Sequence, residues 1–237
     1  MTEKLLNDVE YNYKYICDRI AQAAQSVSKQ YEDITFLAAT KTVDADVINH
    51  AISLGLSYIG ENRVQELLSK YDKYDLEHAC LQFIGRLQTN KVKQIVGKVD
   101  MIQSVDSLKL AKEIAKHSAA MNITTKILVE VNIGREENKS GVYPEQLEEL
   151  LCQIAPLENI KVEGLMSIPP ICENKQKIRK FFQNMHNLFI DISDKKLDNI
   201  GMNILSMGMS GDYYEAIQEG ANMVRIGSAL FGERIYK

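Results

Sequence analysis

Ile34-Thr35-Phe36-Leu37-Ala38-Ala39-Thr40-Lys41-Thr42-Val43-Asp44 is the stretch that decides the fold. Its first six residues are a short, mostly apolar run, the kind that fits a strand buried on both faces. The next five lead into a helical pattern, and none of them is glycine. An open, doubly wound sheet that binds nucleotides normally carries glycines in this first turn, because they let the backbone close on a pyrophosphate. Their absence makes a closed barrel the preferred expectation. The open sheet stays as the alternative, since strand counts from periodicity can err by one or two.

The same strand-then-helix unit recurs along the chain. After Ile34–Ala39 comes a helix over Ala45–Leu54, stopped by Gly55 where a helix C-terminus favours glycine. Tyr58-Ile59 is followed by a helix over Arg63–Tyr71, and Leu81–Ile84 by a helix ending at Gly97. Met101-Ile102 precedes a helix over Ser107–Ala120. The strongest strand, Ile127–Val131, precedes a helix opened by Pro144. Val162–Met166 leads through Pro169-Pro170 to a helix over Lys175–Asp191, and Asn203–Leu205 to one over Asp212–Glu219. Met223–Ile226 and a short helix over Ala229–Ile235 complete the series. Ahead of it all, Leu5, Val9, Ile16, Ile20, Ala23 and Val27 recur at helical spacing, which predicts an extra N-terminal amphipathic helix. The expected fold is therefore α/β, a single (β/α)8 TIM barrel spanning residues 1–237.

Composition narrows the function. With 237 residues, 45% hydrophobic and 25% charged, the chain resembles an ordinary soluble protein with one large core. No run of about 20 uncharged apolar residues predicts a membrane span, and the N-terminus does not read as a secretion signal. Cys17, Cys80, Cys152 and Cys172 stand far apart, which fits a reducing cytoplasm better than a zinc or disulfide framework. A net charge of −4 gives no reason to expect nucleic acid as a partner.

In a barrel the chemistry lies at the C-terminal ends of the strands. Lys41 directly follows the first strand. Held at an apolar mouth, its amine can be desolvated, neutral and ready to form a Schiff base; a solvated strand-end lysine is the plainer alternative. Arg225 interrupts the otherwise apolar run Met223–Ile226. A buried guanidinium needs a partner, either a ligand or a barrel carboxylate such as Glu130 or Glu163. Six of the 13 glycines fall in the last 37 residues. There, Ser206-Met207-Gly208-Met209-Ser210-Gly211 and Gly227-Ser228 follow the seventh and eighth strands, where barrels often hold phosphate. Tight turns with capping serines would give similar letters. His50, His78, His117 and His186 are scattered and suggest no metal site. Asn138-Lys139-Ser140-Gly141 lacks the glycines of a P-loop, and Lys175, Lys177, Arg179 and Lys180 read as a solvated helix face. Met207 and Met209 could line a pocket, with core filling as the default.

Together these segments resemble the pyridoxal phosphate homeostasis protein family, from about residue 34 to Gly232. The motifs are Ala38–Thr42, Gly60-Glu61-Asn62-Arg63-Val64-Gln65-Glu66, Phe83-Ile84-Gly85 with Leu87–Lys91, Lys139–Val142, Gly164-Leu165-Met166, Ser206–Ser210 and Val224–Gly227. The resemblance implies a barrel similar to the alanine racemase N-terminal domain. It implies pyridoxal 5'-phosphate as cofactor, carried by Lys41 as an internal aldimine, with Arg225 facing the pyridine nitrogen. Ser206, Met209, Ser210, Gly227 and Ser228 would hold the phosphate, Asn62 would line the pocket, and Met166 is counted among the cofactor-binding positions. Arg86, Gly211 and Ser228 stand where many relatives have proline, an acidic or small residue, and threonine.

An arginine only donates to the ring nitrogen, so the ring stays unprotonated and is a weak electron sink. Racemases of similar barrel type add a second domain and a tyrosine acid/base, and here the sequence ends at Lys237, directly after the eighth unit. The expectation is a carrier that stores or delivers the cofactor and limits free aldehyde, with no catalytic residues, with apo enzymes as partners, and as a monomer or weak dimer. The alternatives are an amino-acid racemase or related lyase, and a barrel enzyme acting on a sugar phosphate.

Overall fold

The computed structural model describes residues 3–172 and 174–232. Eight parallel strands close into a barrel in sequence order, β1 pairing with both β2 and β8. The strands are β1 (Thr35–Ala39), β2 (Tyr58–Glu61), β3 (Cys80–Phe83), β4 (Met101–Val105), β5 (Thr125–Val131), β6 (Ile160–Ser167), β7 (Ile200–Ser206) and β8 (Met223–Ile226). The helices are α1 (Glu3–Gln25), α2 (Ala45–Ser53), α3 (Val64–Lys70), α4 (Val92–Ile95), α5 (Leu108–Ala120), α6 (Leu147–Ile154), α7 (Lys175–Lys195), α8 (Tyr213–Gln218) and α9 (Ser228–Phe231). The closed barrel is the expected fold, and the open sheet is excluded. Residues 233–235 of the last expected helix lie outside the described residues.

Local chemistry accounts for most boundaries. Ser107 caps α5 by accepting from the Leu110 amide. Gly55 and Gly97 follow α2 and α4 at φ +109° and +80°, a conformation that favours glycine. The helix expected to open at Pro144 begins instead as a 3-10 turn over Pro144–Gln146 and becomes α-helical at Leu147. α1 lies outside the barrel against α2, α8 and α9. Its Val9, Ile16, Ile20, Ala23 and Ala24 are buried, and sealing each large side chain contributes about 1.5–3 kcal/mol. Val27 falls beyond the helix end. Among the described residues, no helix is long and apolar enough to cross a membrane.

Alternation along the strands sorts side chains into two layers. One set faces the helices and forms the main core. The other fills the barrel interior, with Leu37, Ile84 and Met223 in one cluster and Met101, Leu128 and Met166 in another. Gly60 belongs to the interior face, since a Cβ there would lie 2.7 Å from Leu37.

Candidate functional site

Above these apolar clusters the interior turns polar. Arg225, two residues after Met223, is 4% exposed. Its Nη1 donates to Ser206 Oγ at 2.5 Å and its Nη2 to the Ser167 carbonyl at 2.8 Å. Neither expected ion pair forms. Glu130 instead accepts from Ser140 Oγ at 2.7 Å, while Glu163 takes Lys161 at 2.8 Å and Asn203 at 2.9 Å. Burial pushes the guanidinium down to about 10 against the pull of Glu130 and Asp212, so it remains a cation at neutral pH. Burial also raises the Glu130 carboxyl, opposed by Ser140 and by the charges of Arg225 and Arg86. The interior thus holds a cation whose direct contacts are neutral acceptors.

Lys41 comes two residues after Ala39, which packs on the interior cluster, and is half-buried at the same end of the barrel. Its two neighbours are pinned on the outer side of the wall. Thr40 Oγ1 donates to the Gly60 carbonyl at 3.1 Å and to Glu61 Oε1 at 2.9 Å. Lys70 Nζ donates to the Thr40 carbonyl at 3.2 Å, to Glu61 at 3.0 Å and to Glu66 at 2.6 Å. The Thr42 amide donates to Glu66, holding a residue whose φ of +65° is costly for a β-branched side chain. Tyr74 Oη completes the group at 2.7 Å from Glu61. Burial and the adjacent carboxylate push that hydroxyl far above its ordinary range, so it serves as a donor. The turn carrying Lys41 is therefore set by side chains from α3 and the segment after it.

The loop after β7 forms another wall of this end. Gly208 has φ +92°, and a Cβ there would come within 2.5 Å of Ala216 Cβ, so the loop can lie flat on α8 only with glycine. The Met209 amide donates to Asp212 Oδ1 at 2.6 Å. Ser210 Oγ accepts from the amides of Gly227 at 3.1 Å and Ala229 at 3.2 Å. A hydroxyl that accepts twice still has its proton to give. A Cβ on Gly211 would meet nothing, so that departure from the family pattern costs no contact.

The residues singled out in the sequence gather at one end of the barrel in three groups. Lys41 and Asn62 follow β1 and β2, with Asn62 touching the chain at Gly85. Ser210, Gly227 and Ser228 meet at the last two loops, where Ser228 is exposed and Met209 half-buried. Ser206 and Met166 lie deeper and are fully buried, Met166 in the interior cluster and Ser206 on Arg225. Met207 is core. Lys175 and Arg179 reach Glu215 at 2.7 Å and Glu219 at 2.6 Å, while Lys175, Lys177 and Lys180 stay exposed, so that helix face is solvated as expected. The sequence reading missed Gln82, Gln103, Lys70 and Tyr74, and gave no role to Glu61. A polar residue inside a strand was the only available signal for the two glutamines. A vitamin-sized heterocycle with a phosphate fits this end. Asn62 Oδ1 and Ser167 Oγ are buried without a partner among the described residues, and a Cβ on Gly227 would lie 3.0 Å from the Ala39 carbonyl, so the cradle there is tight.

The family described as alanine racemase, N-terminal domain, matches residues 10–235. The pyridoxal phosphate homeostasis protein of Aquifex aeolicus is 46% identical over 224 residues, covering 93% of this chain and 96% of that protein. A solved structure from Bifidobacterium adolescentis superposes with a TM-score of 0.93 at 33% identity, covering 97% of each chain. PipY of Synechococcus elongatus, solved with PLP bound, superposes with a TM-score of 0.79 at 29% identity, covering 90% of this chain and 100% of that one.

Proposed function

The chain belongs to the pyridoxal phosphate homeostasis protein family, and we propose that it binds pyridoxal 5'-phosphate covalently through Lys41, to store or deliver it rather than to turn over a substrate. Residues 1–237 act as one cofactor-binding unit in this reading. The observation that carries it is Arg225, a buried cation whose hydrogen-bond acceptors among the described residues are neutral, at the barrel end where Lys41 stands. Such a group is costly unless a ligand acceptor completes it.

When bound, the cofactor supplies an aldehyde that condenses reversibly with an amine, releasing water. The chain's own residues do the rest. The pinned neighbours of Lys41 hold its backbone in place, so the amine is presented from a fixed turn. Arg225 would present N–H donors to the ring nitrogen and keep its proton, so the ring would be a weak electron sink. This disfavours the carbanion chemistry of most enzymes that use this cofactor, and it suits storage. Ser210, whose oxygen accepts from the Gly227 and Ala229 amides, would give its hydroxyl proton to the phosphate. Release by amine exchange would pass the cofactor to apo enzymes.

Titrating apo protein with pyridoxal 5'-phosphate should produce a yellow visible band that Lys41→Ala abolishes. The same protein offered a panel of D- and L-amino acids should turn none over. Robust turnover that disappears in Lys41→Ala would replace the carrier reading with a racemase or lyase.

A further inference from the structure

We propose that Gln103 is a positioning residue that acts through Ser206 to fix Arg225 as the donor to the ring nitrogen. The ligand named here rests on the reading of the site given above, whereas the positioning itself rests on the protein alone.

The hydrogen bonds around Arg225 have a polarity that cannot be reversed. A guanidinium has five N–H donors and no acceptor. Arg225 Nη1 lies 2.5 Å from Ser206 Oγ, so that oxygen accepts. The single proton of Ser206 then has to go elsewhere, and Gln103 Oε1 stands 2.7 Å away. With its oxygen engaged, Gln103 turns its amide nitrogen to the far side. There Nε2 donates to Gln82 Oε1 at 2.6 Å and to Met223 Sδ at 3.2 Å. Each link has one allowed direction, running from Arg225 on β8 through Ser206 on β7 and Gln103 on β4 to Gln82 on β3. Gln82 is 2% exposed, Gln103 and Ser206 0% and Arg225 4%, so water does not compete for any of these groups. Reversing one amide would set buried donor against donor and acceptor against acceptor.

Two consequences follow for Ser206 and Arg225. The Ser206 hydroxyl gives its only proton to Gln103, so it has none for a phosphate, and its role moves to the ring-nitrogen end. The guanidinium is anchored on two different strands, by Ser206 and by the Ser167 carbonyl, and keeps N–H groups for a ligand acceptor. Without Gln103, the Ser206 hydroxyl loses the acceptor that fixes its proton, and one of the two anchors of Arg225 is no longer held in a set orientation.

Gln103→Met keeps the side-chain length and removes both polar atoms, and Ser206→Ala removes the link itself. Two readouts apply. In 15N-labelled apo protein, the Arg225 Nε–H resonance, assigned by its loss in Arg225→Met, reports whether the guanidinium is fixed. In protein loaded with pyridoxal 5'-phosphate labelled at the ring nitrogen, the 15N shift reports the hydrogen bond made there. Gln103→Met and Ser206→Ala should each broaden the apo resonance, move the ring shift the same way and weaken binding about tenfold. The double variant should do no more than either single change. A wild-type apo resonance in Gln103→Met overturns the proposal, as does a double variant whose effects add. If wild-type protein takes up no labelled cofactor, the reading of the site falls, and the apo resonance in Gln103→Met decides the positioning role by itself.

Discussion

Lys70 and Arg225 are both cations drawn largely out of water, one outside the barrel wall under β1 and β2, the other inside it on β8. Lys70, whose side chain is 14% exposed, meets two carboxylates, Glu61 at 3.0 Å and Glu66 at 2.6 Å. Arg225 meets a serine hydroxyl and a backbone carbonyl. In the first every Lys70 proton has an acceptor, and its product is a fixed turn at Lys41. The second is electrostatically incomplete. A fold gains stability from the first arrangement and gives it up for the second, which marks the second as the place where a ligand completes the structure.

That contrast fails if the two cations respond alike to removal of their partners or themselves. The largest expected effect is from Glu61→Leu, which strips Lys70, Tyr74 and Thr40 of a shared acceptor buried at 0% exposure. Breaking a buried pair in this way costs about 3–5 kcal/mol, to be read from urea unfolding. Arg225→Met should act in the opposite manner. Stability should stay within about 1 kcal/mol of wild type or rise, because an incompletely paired buried charge is removed. Affinity for pyridoxal 5'-phosphate should fall by about 1.5–3 kcal/mol, the worth of a hydrogen bond to a charged group, measured by equilibrium titration. Equal stability losses in the two variants would break the comparison.

Glu130→Gln sharpens it through pH. Burial raises the folded Glu130 carboxyl above its ordinary value of 4.5. The unfolded chain therefore loses that proton first as pH rises, and stability falls between the ordinary value and the folded one. Glu130→Gln keeps an acceptor for Ser140 and removes this fall. Its gain over wild type in urea unfolding should grow as pH rises from about 4.5 toward neutrality. The smallest effect belongs to a pair the solvent already screens. Lys195 and Glu148 meet at 2.8 Å with 40% and 54% exposed side chains, and Glu148→Gln should change stability by less than about 0.5 kcal/mol.

The barrel was legible because strand runs such as Ile127–Val131 and helix periods alternate without interruption, and because Gly55 and Gly97 stop helices by a local backbone rule. The ends of strands were less so. Met101-Ile102 reads as the whole of β4, yet the strand runs on to Val105, since Gln103 and Ser104 are polar and buried together. A barrel interior accepts an amide if its partners come from other strands, and Gln82 and Ser206 lie 21 and 103 residues away. Periodicity carries no information at that range. Arg225 was visible as a charge out of place in an apolar run, but its partners were not, and the expected ion pairs with Glu130 and Glu163 gave way to neutral acceptors. Glu61 was visible only as a letter in a motif, because Lys70 and Tyr74 reach it from the end of α3 and the segment after it.

The central claim is tested most directly by borohydride reduction of the protein loaded with pyridoxal 5'-phosphate, followed by peptide mapping with mass spectrometry. The phosphopyridoxyl mass is expected on the peptide containing Lys41 in wild-type protein and is expected to be absent in Lys41→Ala. An adduct confined to another lysine, Lys70 included, or no adduct at all, would contradict it.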